Sequence, residues 1–380
     1  MPYAVTDMSL AKTSTGPLFA LVMVLSALAA APRAHADLHR AVATKPVIAG
    51  FIDMQDIAWH NTDDGQPKFM LHNIEKFPPG MFGGIVFNGT WNEMQPDEGG
   101  PLVSDRLDKA LRKVRKYNLA HPDAPLGVKL RVYSGNQAPP WAKALDGGPI
   151  TILRNEQGCH TGNCEITIGK VWDPVYIAAW RAFQALLAAR YDSVPVIRSV
   201  AITSCAMETD EPFVMPVDQP VPDGYTDKAG RECLRGAVDD YSAWKRTVID
   251  YTINPFVKIQ RGGPADVTFS IKVMNECRRQ LGARCELGNH ALSNDMTPDN
   301  LVVVAAIGDR GAPIHYQTEG PAKMGFKWKP TIRRARRYHA TAVELWPEAD
   351  LGGFTSLSTK ELQRLLDVFD SDIVSAKHRP

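Results

Sequence analysis

Hydrophobic and polar positions change rhythm repeatedly along this chain. Short β-rich apolar runs at 47–53, 84–88, 127–133, 199–203, 267–274, 285–289, 314–318 and 342–346 alternate with stretches of helical periodicity. Strands that alternate with helices predict a parallel sheet with crossover helices. The eight runs predict a (β/α)8 TIM barrel: an α/β, single-domain fold. Ser104 precedes a helix whose Leu107, Leu111 and Val114 share one face, and Asp173-Pro174 opens a second carrying Trp180, Phe183, Leu187 and Tyr191. Between 239 and 259 the spacing of Trp244, Val248 and Tyr251 predicts a third. Thr297-Pro298 opens a fourth that Gly311 closes, and a last helix is expected over 358–375. The apolar run 301–307 could also be a strand, but its length and Thr-Pro-Asp start favour helix. Two insertions, a hairpin at 150–168 and a Pro- and Asp-rich loop at 214–231, follow the third and fourth strands.

One apolar stretch fits no barrel element. Residues 18–31 are almost uninterruptedly apolar, preceded by Lys12 and followed by Ala34-His35-Ala36, the pattern of a signal peptide with a small-residue cleavage site. The run is short of the ~20 residues a bilayer span needs. The expected organisation is signal peptide 1–36, linker 37–45 and barrel 46–380, with the mature protein secreted or periplasmic and free of the membrane.

That compartment changes how the six cysteines read. An even number in an exported chain implies disulfides, and proximity pairs Cys159 with Cys164, Cys277 with Cys285, and so Cys205 with Cys233, out of 15 possible pairings. No CxxC occurs and no histidine shows ligand spacing beside the cysteines, so no metal is expected. The 43 basic and 42 acidic residues nearly cancel, which speaks against nucleic acid as a partner, and the cluster 333–337 reads as the solvated face of a helix.

In a barrel of this type the residues just after each strand converge on the C-terminal mouth. Here they are Asp53, Trp91, Asn92, Arg131, Tyr133, Glu208, Asn289, His290, Gln317, Glu319 and Trp346, with Trp141 in a nearby loop. Rings that stack on sugar faces and polar groups that bond hydroxyls suit an oligo- or polysaccharide. Glu208 and Glu319, on opposite sides of the mouth, supply the two carboxyls of glycosidic-bond cleavage without a cofactor, retaining if they stand about 5–5.5 Å apart. Glu211 is a substitute acid or a loop residue. Asp53 and Arg131 either bind substrate or pair with each other, and Glu344, if it points into the barrel, needs a partner such as an arginine. Trp180 and Trp244 sit at helical spacing and read as packing. Asn88-Gly89-Thr90 fits the glycosylation pattern but sits at a strand end.

The stretches Trp91-Asn92-Glu93-Met94-Gln95-Pro96, Leu107-Asp108-Lys109-Ala110-Leu111, Lys129-Leu130-Arg131, Pro140-Trp141, Trp172-Asp173-Pro174 and Ala206-Met207-Glu208 resemble the second to fourth units of the clan of retaining glycosidases that includes bacterial β-galactosidases and cellulases. The resemblance implies an acid/base glutamate after strand four, Glu208, and a nucleophile after strand seven, Glu319 in Gln317-Thr318-Glu319-Gly320. It departs at Met207, where many members of the clan carry an asparagine that holds the substrate's 2-hydroxyl. An Asn-Glu pair occurs instead at Asn275-Glu276. Two other readings stand beside a glycosidase: a carbohydrate-binding barrel without catalysis, and a barrel hydrolase that uses Asp53, His290 and a glutamate around a metal.

Overall fold

In the computed structural model, the residues described are 43–54, 71–153, 165–212, 221–259, 265–320, 323–325, 327–346 and a few positions between 358 and 367. The expected signal peptide, most of the linker, Cys159 with Cys164, and much of the last helix lie outside them.

Eight parallel strands close into a barrel. In chain order the strands are β1 (Gly50–Met54), β2 (Phe82–Thr90), β3 (Gly127–Tyr133), β4 (Ile150–Leu153), β5 (Glu165–Ile168), β6 (Ile197–Ala201), β7 (Val248–Thr252), β8 (Cys285–Leu292), β9 (Ile314–Thr318) and β10 (Ala342–Leu345). The barrel runs β1-β2-β3-β6-β7-β8-β9-β10 and back to β1, while β4 and β5 form the expected antiparallel hairpin between β3 and the next long helix. The helices are α1 (His72–Glu75), α2 (Trp91–Met94), α3 (Asp105–Ala120), α4 (Pro140–Lys143), α5 (Pro174–Tyr191), α6 (Asp227–Gly236), α7 (Val267–Leu281), α8 (Pro298–Gly308) and α9 (Trp328–Arg337).

Local chemistry sets the helix starts. The side chains of Asp173 and Thr297 accept from the N–H of Val175 and of Asn300, and a proline follows each cap. Ser104 precedes α3 as expected, but its hydroxyl donates to Asp108 instead of accepting a backbone N–H.

Two expectations exchange places. Residues 267–274 form the start of helix α7, and the fifth barrel strand is β7, inside the span read as helix. The alternation Val267, Phe269, Ile271, Val273 imitates a strand, but Asp266 accepts from the Phe269 N–H, and Phe269, Ser270, Val273, Met274 and Cys277 bury one helical face. In β7 the alternation runs the other way: Asp250 faces the charged interior while Tyr251 packs outside, its hydroxyl donating to the Leu234 carbonyl. Asn275-Glu276 therefore sits on α7, where Asn275 accepts from Arg310, away from the strand ends.

The main core is the shell between strands and helices, including Ile85, Phe87, Val128, Leu130 and Leu287 from the barrel and Leu107, Val114, Trp180 and Phe183 from α3 and α5. Ile48, Ile52, Met54, Val86 and Ala342 form a separate small apolar cluster. Disulfides Cys205–Cys233 and Cys277–Cys285 agree with the pairing expected from proximity.

Candidate active site

The barrel interior is charged where such barrels are mostly filled by aliphatic side chains. Lys129 and Arg131 from β3, Asp250 from β7, Glu286 from β8, His315 from β9 and Glu344 from β10 are all buried. Two residues apart on one strand, Lys129 and Arg131 share a face, so β3 alone delivers both cations. Lys129 Nζ lies 2.5 Å from Asp250 and 3.0 Å from Glu344. Arg131 lies 2.8 Å from Glu344 and, through Nε, 2.8 Å from Asp210. His315 Nε2 is 3.1 Å from Glu344. Glu344 thus has the arginine it was expected to need, with a lysine and a histidine besides.

These pairings set the protonation states. Burial alone would keep Glu344 neutral, but Arg131, Lys129 and His315 hold its carboxyl well below the usual range. Asp250 is lowered in the same way, against burial, by Lys129 and His315. Against burial and the Lys129 charge, Asp250 and Glu344 raise His315. Glu286 is pushed up to about 7 by burial and by Asp250. Glu286 accepts from the Ser199 hydroxyl at 3.1 Å.

Above this network sits a turn from 206 to 212, closed by a bridge between Ala206 and Pro212. It is fastened on several sides. Ser134 donates to the Thr203 and Ala206 carbonyls, the Asn136 N–H donates to the Met207 carbonyl at 2.8 Å, and the neighbouring disulfide ties Cys205 to α6. Gly135 makes this approach possible: its φ is +49°, and a Cβ there would come within 2.1 Å of the Met207 carbonyl oxygen.

The turn presents Glu208, Asp210 and Glu211. Glu208 is 7% exposed. Glu211 keeps a side-chain exposure of 23%, accepts from the Asn254 amide at 2.9 Å and lies 3.7 Å from His290 Nδ1. Burial and the adjacent Asp210 push its carboxyl up to about 7 against the Asn254 bond, and Glu319 adds to the rise. Glu319 follows β9 and pairs with the more exposed Lys323 at 2.5 Å. His290 is held neutral at ordinary pH, lowered by burial to about 4 despite Asp210, and its Nε2 lies 2.8 Å from the Thr252 hydroxyl. The arrangement sets a carboxyl pushed up to about 7 within electrostatic reach of a second carboxyl, Glu319.

The other expected site residues divide. Arg131, Tyr133, Asn289 and Gln317 are buried, Arg131 reaching the Gln317 side-chain oxygen at 3.4 Å and the Asn289 amide donating to the Ile253 carbonyl and to Asn254. Asp53 is buried at the end of β1, and the ion pairs of Arg131 are with Asp210 and Glu344. Trp91 is fully buried against Trp141, Tyr176, Trp180 and Phe183, which corrects its reading as a stacking platform: no ring face is left for a sugar. Trp141 is partly buried, its indole N–H donating to the Gln95 carbonyl at 3.3 Å, and Trp346 is partly exposed beyond β10. Asn88 is buried within β2. Among the described residues no group of three His, Cys, Asp or Glu side chains is placed to hold a metal ion. No helix among them is long and apolar enough to cross a membrane.

Sequence reasoning missed Asn254, Asp210, Lys129, Asp250, Glu286 and His315. Asn254 follows β7, and once that strand is read as helix its mouth residues disappear from view.

No family model and no curated protein matches the chain. Among solved structures, endoglycoceramidase II from Rhodococcus sp. is similar at 14% identity and a TM-score of 0.45, over 79% of this chain and 73% of that one. A GH5-4 broad-specificity endoglucanase from Clostridium longisporum is similar at 11% identity and 0.49, over 85% and 96% of the two chains. An Old Yellow Enzyme from Pichia sp. is similar at 11% and 0.49, over 86% and 87%. Likeness at this level concerns the barrel, and chemistry has to be argued from the site.

Proposed function

We propose that this protein is a secreted glycoside hydrolase that cleaves glycosidic bonds of an extracellular glycan with retention of configuration, using Glu319 as nucleophile and Glu211 as acid/base. The observation that supports the reading is the setting of Glu211, which accepts from the Asn254 amide at 2.9 Å and stands 3.7 Å from His290 Nδ1, and where burial and Asp210 push the carboxyl up to about 7. A glycosidase acid must hold its proton at the operating pH, and burial and the neighbouring Asp210 act on Glu211 in that sense.

In the first step Glu319 attacks the anomeric carbon while Glu211 gives its proton to the departing glycosidic oxygen, leaving a glycosyl ester on Glu319. In the second, Glu211 takes a proton from water, whose oxygen displaces Glu319 and returns the free sugar. Lys323 pairs with Glu319 from the solvent side and has to give way as substrate enters. Sequence reasoning placed the acid at Glu208; Glu211, three positions further along the same turn, is preferred here for the groups around it, the Asn254 amide, His290 and Asp210. Arg131, Tyr133, Asn289, His290, Gln317, Trp141, Trp346 and Asp53 would shape the sugar site around the pair. The apolar run 18–31 and the two disulfides support export.

The test is hydrolysis of a panel of aryl glycosides and of plant, fungal and bacterial polysaccharides by the mature chain and by Glu208→Gln, Glu211→Gln and Glu319→Gln. General acid catalysis is worth roughly 10²–10⁴-fold, so the Glu211 and Glu319 variants should each lose at least about 100-fold while Glu208→Gln loses far less. Loss confined to Glu208→Gln and Glu319→Gln would return the acid to Glu208. A wild type that binds glycans and cleaves none would make this a carbohydrate-binding barrel.

A further inference from the structure

We infer that Asp210, pinned by Arg131, is a positioning residue that governs when Glu211 releases its proton. The inference rests on the reading of Glu211 as the acid.

Adjacent carboxylates on a free turn relieve their repulsion by swinging apart or by one taking up a proton. Here the first route is closed to Asp210. Arg131 Nε holds its Oδ2 at 2.8 Å, with side-chain exposures of 0% and 8%. The guanidinium is itself fixed from below by Glu344, which Lys129 and His315 hold in turn, and Lys129 is bound to Asp250. Asp210 is therefore the upper end of a column of alternating charges rooted in four barrel strands. A fixed negative charge next to Glu211 disfavours a second one there.

The remaining groups facing Glu211 come from three other elements. The Asn254 amide after β7 donates to Glu211 at 2.9 Å, and His290 on β8 stands 3.4 Å from Asp210 and 3.7 Å from Glu211. Glu319 after β9 adds negative charge, and Lys323 works against it. His290 is neutral near pH 7, since burial lowers it to about 4. Besides burial, the charges that hold the proton on Glu211 are thus Asp210 and Glu319. The first belongs to the barrel whether or not substrate is present, while the second becomes an ester during turnover, when Glu211 must act as a base. Losing that charge lowers the proton affinity of Glu211 at the step that needs it ionised, and Asp210 keeps it from falling too far to accept a proton from water.

The experiment is a ¹³C NMR titration of the Glu211 carboxyl, assigned by its disappearance in Glu211→Gln, in the full mature wild type and in Asp210→Asn, beside the pH profile of kcat/KM on an aryl glycoside the wild type cleaves. Removing the charge of the adjacent residue should lower the Glu211 midpoint by about one pH unit. The basic limb of the pH profile should follow it. Arg131→Lys, which keeps the cation, should shift the midpoint by less than half as much. Should Asp210→Asn fail to fold, Asp210→Ser removes the same charge and carries the same expectation. An unmoved Glu211 midpoint in a folded Asp210 variant overturns the inference. A moved midpoint with undiminished activity in Glu211→Gln leaves Asp210 in its positioning role and refutes the acid assignment instead.

Discussion

The two faces of the barrel wall are made of opposite materials. Outward, Val128, Leu130, Ile249, Tyr251, Leu287, Tyr316 and Val343 pack against helices in a continuous apolar core. Inward, the same strands carry Lys129, Arg131, Asp250, Glu286, His315 and Glu344. The outer face acts through area removed from water, roughly 25 cal/mol per Å². The inner face gains little net stability from its ion pairs, because desolvating charges costs about what their attraction returns. What it provides is a rigid electrostatic base beneath the mouth, and the small apolar cluster of Ile48, Ile52, Met54, Val86 and Ala342 fills part of the remaining wall.

The contrast can be broken most severely at Glu344, the anion shared by Lys129, Arg131 and His315. Glu344→Leu strands those cations and should cost about 3–5 kcal/mol in denaturant unfolding. It should also damage activity in whatever fraction stays folded, since Arg131 loses its footing. On the outer face, Leu187→Ala empties space in the fully buried packing of α5 and should cost about 2–5 kcal/mol, with the pH profile of activity unchanged.

Glu286 sharpens the comparison through pH. Its folded value is raised from 4.5 to about 7, so its contribution to stability is fully present below about 4.5 and is lost as pH rises through about 7. The stability of wild type relative to Glu286→Gln should therefore fall across that window, by at most roughly 3 kcal/mol. A flat difference would mean Glu286 is ionised in the fold. The smallest effect belongs to Lys228→Ala, which removes an i,i+4 pair with Glu232 whose side chains are 84% and 60% exposed and should cost under about 1 kcal/mol, less at high salt.

The same two faces explain what could be read in the sequence. Strands β3 and β9 were legible to the residue, and β2, β6, β8 and β10 to within a few, because their outward residues are apolar and their flanks are punctuated. β7 was hidden because Asp250 interrupts a five-residue strand and Trp244, Val248 and Tyr251 happen to fall at helical spacing. α7 was hidden because Val267 to Val273 alternates, although Asp266 at its start and Cys277 a further turn along were the helical signals. Of the site, Glu208 and Glu319 were visible as strand-end carboxyls and Glu211 as a substitute acid or a loop residue, but weighing Glu208 against Glu211 depends on how a seven-residue turn is clamped by Arg131 on β3 and by Ser134 and Asn136 just after it. Contacts between elements more than 60 positions apart leave no local pattern to read.

The most direct test of the central claim is to trap the intermediate with an activated 2-deoxy-2-fluoro glycoside of the sugar the panel identifies, then locate the label by peptide mass spectrometry. A single sugar on the peptide containing Glu319, absent in Glu319→Gln, is the predicted result. A label on another carboxylate, or turnover that inverts the anomeric configuration without any covalent species, would contradict it.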